Sequence, residues 1–154
     1  MFAAIGSVPY NLMLFVHIIT AMLGFAPVLV HPVLGRQTGD ANSQGRSGWF
    51  GFMARNTMRI YTSALIVSGL IGFGVAGLSD KVYRVRQPWL IVAVLLWIAM
   101  IGVMHGGLAK SEKAIAAAGT DRNEDAEARH AKSAAIFTAL FVGQILLMVF
   151  KPGI

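Results

Sequence analysis

Residues 15–32 read FVHIITAMLGFAPVLVHP, an apolar stretch that carries two histidines, His17 and His31, fourteen positions apart. Extended to 10–34, the run exceeds the roughly 20 residues needed to cross a hydrocarbon layer of about 30 Å at about 1.5 Å per helical residue. It has no basic segment before it and is longer than the apolar core of a signal peptide, about 7–15 residues, so it reads as a membrane span. Three more such runs occur, at 60–78, 88–108 and 133–150. The 154 residues are 56% hydrophobic and 13% charged, with a mean hydropathy of +0.65, well outside the range of soluble domains. The expected fold is all-α: an integral membrane bundle of four transmembrane helices forming a single domain over 1–154.

The net charge of +6 and pI near 10.2 would point to nucleic acid in a soluble protein. Here the basic residues sit in the connections instead. Arg36, Arg46, Arg55 and Arg59 fall between the first two spans, and Lys110, Lys113, Arg122, Arg129 and Lys132 between the last two, nine in all. Lys81, Arg84, Arg86 and Lys151 make four on the opposite side. The positive-inside rule then places both termini on the extracytoplasmic side, with the lipid bilayer as the expected partner and no nucleic acid.

With no cysteine, disulfides and thiolate chemistry are excluded. The stretches 35–51 and 110–132 read as loops of mixed polarity, the second partly helical. Asp121 followed by Glu124 resembles a capping box, and DAEARHAKSAAI can carry that helix straight into the fourth span. All seven acids, Asp40, Asp80, Glu112, Asp121, Glu124, Asp125 and Glu127, are expected in loops, which disfavours proton-coupled transport through a membrane carboxylate.

Small residues recur every four positions on three spans: Ser68, Gly72 and Ala76; Gly102 and Gly106; Ala135, Ala139 and Gly143. In lipid such faces permit close helix approach, or keep a groove clear for a flat cofactor or a partner helix. On the first span His17, Ala21, Gly24, Val28 and His31 form one stripe that should face the bundle, with Pro27 and Pro32 as possible kinks.

The two histidines stand about 21 Å apart along a straight helix, too far to share one metal ion or haem iron. His31 is level with His105, and that pair can hold a haem or a metal between facing helices, or meet interfacial water separately. His17 is level with Gln144; it either hydrogen-bonds Gln144 or Ser68, or ligates a cofactor. Arg55 and Arg59, one turn apart, suit lipid headgroups or the propionates of a haem. His130 reads as a solvated loop residue. Met22, Met100 and Met104 are packing residues or soft Cu(I) ligands.

In order, YNLMLFVHIITAMLGFAPVLVHPVL, MARNTMRIYTSALIVSGLIGFGVAG and PWLIVAVLLWIAMIGVMHGGLAK resemble the first three spans of a superfamily of small bacterial membrane proteins. It includes uncharacterised predicted integral membrane proteins, the copper-resistance protein D type and the HemJ-type protoporphyrinogen oxidase. The similarity covers about 10–110. It rests on an early histidine, basic residues with a tyrosine opening the second span, and a histidine-glycine ending the third. The resemblance implies a bacterial inner membrane location and carries the role of axial haem b ligand onto His17. The third-span lysine of the HemJ-type enzymes has no counterpart here, where Ala93, Val94 and Leu95 stand instead. The expected function is therefore binding of haem b or a transition metal in a redox-linked role, with no enzymatic reaction assigned. The alternative is a non-catalytic accessory subunit or scaffold, as a homo-oligomer or within a larger membrane complex.

Overall fold

The computed structural model describes residues 4–39, 43–80, 82–84, 86–119 and 121–152, with the side chains of 29–44 outside that description. Among these residues every regular element is helical: α1 (Val8–Gly39), α2 (Ser43–Asn56), α3 (Thr62–Gly77), α4 (Pro88–Val103), α5 (Ala109–Ala118) and α6 (Glu124–Phe150). Two π-helical turns, Thr57–Tyr61 and Met104–Leu108, join α2 to α3 and α4 to α5 without a break. Four segments are long and apolar enough to cross a membrane, Val8–Val28, Gly45–Gly77, Pro88–Ala118 and Glu124–Phe150, so the chain has the make-up of a multi-pass membrane protein.

Local chemistry sets the helix ends. Pro88 opens α4 at a position where a missing N–H costs nothing. Asn123 caps α6, its Oδ1 accepting the Ala126 N–H at 3.0 Å. The cap is thus Asn123, and the expected box beginning at Asp121 does not form, although α6 does run unbroken from the charged segment into the last span. The first π turn is closed by Thr62, whose backbone N–H and Oγ1 both donate to the Thr57 carbonyl, the hydroxyl at 2.6 Å.

The two stretches expected as loops are largely helix. α2 and α5 pack on each other past the apolar part of the bundle, where Ser47 Oγ donates to the Ala116 carbonyl at 2.8 Å. Arg46 pairs with Glu127, which also receives Arg122 Nε at 3.2 Å. Their polar composition reflects helices that extend beyond the hydrocarbon length, each satisfying its own backbone.

α1 runs antiparallel along α3, and α4 pairs with α6. Glycines set the first contact: a Cβ on Gly24 would lie 3.0 Å from Leu65 Cα, and one on Gly74 would lie 2.4 Å from Met13 Sδ. The two pairs meet in a core of Phe25, Leu65, Met100, Met104, Leu108 and Phe137. Phe25 stands with its ring centroid 4.0 Å from that of Phe141 and 6.3 Å from that of Phe137. In lipid these contacts act through close packing, since burial from water supplies no drive between helices.

Of the three small-residue faces, only that of α3 turns wholly inward. Gly102 and Gly106 are exposed, with nothing among the described residues within 4 Å of an added Cβ, and Ala135 and Ala139 are exposed too. Gly107, outside the repeat, makes the close approach of the third helix instead: a Cβ there would stand 2.8 Å from Ser133 Cβ on α6. Helix α1 continues through Pro27 as regular helix.

Candidate functional site

Between the two helix pairs lies a groove of about 590 Å³, within the roughly 300–1,000 Å³ of sites for small molecules and cofactors. All four long helices line it. Ser68, Gly72 and Ala76 of α3 and Ala93 of α4 are the small residues of its lining. The wall is overwhelmingly apolar, with His17, Ser68, Gln144, Tyr10, Tyr83 and Lys151 as its chief polar members.

Trp97 forms the floor on the α4 side. Its Nε1 donates to the Leu65 carbonyl at 2.8 Å, and its indole occupies the place of the missing side chain of Gly69. A Cβ on Gly69 would sit 2.1 Å from Trp97 Cε2. Phe73 meets the same ring edge-on, with centroids 6.4 Å apart.

His17 is held by α3. Its Nδ1 lies 2.8 Å from the Ser68 carbonyl oxygen and 3.3 Å from Ser68 Oγ. A carbonyl can only accept, so Nδ1 carries the proton and Nε2 keeps its lone pair. Ser68 Oγ donates in turn to the His17 carbonyl at 3.2 Å, tying the two helices together. Gly72 makes room for the imidazole: an added Cβ would lie 3.1 Å from His17 Cε1, 3.4 Å from Nδ1 and 3.9 Å from Nε2. The result is an oriented imidazole on an apolar groove, with the nitrogen able to ligate left free of hydrogen bonds among the described residues.

Ser68 supplies the partner of His17, and no hydrogen bond joins His17 to Gln144. Gln144 Oε1 is buried beside the groove with no hydrogen-bond partner among the described residues.

The other candidates fall elsewhere. His105 is exposed on the second π turn, its Nδ1 donating to its own helix at the Ile101 carbonyl, 3.1 Å away, and it does not line the groove. The side chain of His31 lies outside the described residues, so a shared His31–His105 site is not assembled among them. Arg55 and Arg59 are exposed and line no part of the groove. Among the described residues the cation that does is Lys151. Among the described residues no group of three or more His, Asp or Glu side chains is placed to hold a metal ion. Met22 and Met100 line the groove, while Met104 is buried in the core.

Two residues differ from their sequence reading. Glu112, expected in a loop, is fully buried on α5 beside Thr57, inside a helix long and apolar enough to span. His130, expected in solvent, is half-buried, edge-on to Phe50 at 5.6 Å and 3.3 Å from Ser111 Oγ. No protein-family model, curated protein or solved structure matches the chain.

Proposed function

We propose that the chain is a multi-pass protein of the bacterial inner membrane, both termini outside, whose groove would hold one haem b through His17 Nε2, in a redox-linked role. The observation that carries this is the tautomer fixed at His17: Nδ1–H bound to the Ser68 carbonyl, the lone pair of Nε2 free beside an apolar groove. That is how proteins orient an imidazole ligand from behind. The residues fit the group in three further respects. A haem needs one protein nitrogen where a bare metal ion needs several, the groove of about 590 Å³ is of cofactor size, and the lining is apolar. The resemblance of the first three spans to haem-binding members of a bacterial superfamily points the same way. Bound haem supplies one-electron chemistry at iron. The chain's own part would be to hold the group through His17, itself fixed by Ser68, and to exclude water with Trp97, Phe73 and Phe141. With Ala93, Val94 and Leu95 where the HemJ-type enzymes carry a lysine, the proposal stops short of protoporphyrinogen oxidation.

The test is the absorption spectrum of gently purified protein, oxidised and reduced. A Soret band that shifts on reduction, and is lost in His17→Ala, supports the reading; a colourless protein that takes up no added haemin removes it.

A second reading, an accessory subunit of a larger complex, is favoured by Gly102 and Gly106, which open outward with nothing among the described residues within 4 Å of an added Cβ. Small residues four apart let another helix approach closely. On that reading Gly102→Leu with Gly106→Leu releases a partner or second copy in cross-linking, and leaves the groove intact.

A further inference from the structure

His17 accounts for the apolar depth of the groove, but its mouth has a different chemistry. Tyr10, Tyr83, Trp89 and Lys151 gather there, each also a lining residue. Tyrosine and tryptophan concentrate where a span leaves the hydrocarbon, so this ring marks the membrane–water level. Lys151 lies seven residues past Gln144, about 10 Å further along the helix axis at about 1.5 Å per residue.

Lys151 is placed with unusual care. It ends α6 in the left-handed region, at φ 40 and ψ 60, a conformation that glycine adopts readily and lysine seldom does. Its backbone N–H still closes the helix onto the Leu147 carbonyl at 3.0 Å. The turn brings the side chain back over the groove, where Nζ donates to Tyr83 Oη at 3.0 Å and stands 4.8 Å from the centre of that ring. Tyr83 is itself braced, edge-on to Trp89 at 5.8 Å, with its backbone N–H bound to Ser79 Oγ at 2.8 Å. Among the described residues Tyr83 alone accepts from the ammonium, which carries three protons and so can serve a further acceptor. Among the described residues no carboxylate pairs with Lys151, and none lines the groove.

A fixed cation above an apolar slot matches an amphiphile whose plate is apolar and whose edge is anionic. We propose that Lys151, held by Tyr83, binds a propionate carboxylate of the haem at the mouth of the groove. This rests on the haem reading above, and it replaces Arg55 and Arg59 as the propionate partners.

The experiment compares haemin with haemin dimethyl ester, which keeps the ring and iron but lacks both carboxylates. Each is titrated into the purified full chain in nanodiscs and followed by the Soret band. The wild type should bind haemin about tenfold more tightly than the ester, the factor that about 1.4 kcal/mol produces. Lys151→Met should bind the two alike, and Lys151→Arg should keep most of the preference. A wild type that binds acid and ester equally, or a Lys151→Met variant that retains the tenfold preference, overturns this assignment while the haem reading stands. Failure of the wild type to bind either compound overturns both.

Discussion

Gly69→Ala should damage this protein through one contact, and removing Trp97 should reverse the sign of its effect. The added Cβ would lie 2.1 Å from Trp97 Cε2, 2.4 Å from Cζ2 and 2.5 Å from Nε1, so the indole must leave its seat. Its hydrogen bond to the Leu65 carbonyl, 2.8 Å long, goes with it. Overpacking of this kind costs about 1–3 kcal/mol, and an interhelical hydrogen bond in a membrane is worth about 0.6–2 kcal/mol. Against this stands about 1 kcal/mol gained by alanine over glycine within a helix. The net loss is about 1–4 kcal/mol in the native background. In a Trp97→Ala background the clash and the bond are both absent, and Gly69→Ala should stabilise by up to about 1 kcal/mol. Reversible unfolding by SDS in mixed micelles, followed by far-ultraviolet circular dichroism, measures all four corners of the cycle. Equal cost in both backgrounds, or a neutral substitution in the native one, would refute the placement of Trp97 over Gly69.

Ser68→Ala removes a hydroxyl but leaves the carbonyl that fixes His17, so it should cost no more than about 2 kcal/mol in the same assay and leave haemin binding in place. Phe137→Ala empties a fully buried site beside Phe25 and should cost about 3–5 kcal/mol, with haemin binding weakened only through stability. Glu127→Gln should cost at most about 1 kcal/mol, because the ion pair with Arg46 keeps side-chain exposures of 27% and 22%; a double-mutant cycle with Arg46→Ala should give a coupling that shrinks as salt is raised. Reporter fusions at Gly45 and Gly119 should read cytoplasm and one after Ile154 the outside; the reverse pattern would invert the topology.

Much of the bundle is legible in the sequence because hydrocarbon thickness is a length criterion, and four runs meet it. The pairing of His17 with Ser68 is also within reach, since their spans run antiparallel and bring their depths together. The direction of a face is not. A four-residue repeat says that Ser68, Gly72 and Ala76 share a side, as do Gly102 and Gly106, but only packing decides that the first looks into a groove and the second outward. The π turns hide more. Each adds a residue to its turn and rotates the succeeding helix by about 100° relative to a straight one, which blurs any projection of α5 past Met104–Leu108. Glu112, read from the sequence as a loop residue, lies buried on that helix. Lys151 escapes the sequence for a different reason: PG after it marks a helix end, but no residue pattern says that the lysine itself takes the left-handed turn.

The central claim, that His17 Nε2 is a haem ligand held ready by Ser68, is tested most directly by chemical rescue. In His17→Gly the imidazole is removed and the place it occupied against Gly72 is left open to a small molecule. The reduced-minus-oxidised spectrum with haemin should show its Soret shift in the wild type, lose it in the variant, and recover it when free imidazole is added. A variant whose spectrum matches the wild type without imidazole would place the iron elsewhere and contradict the account.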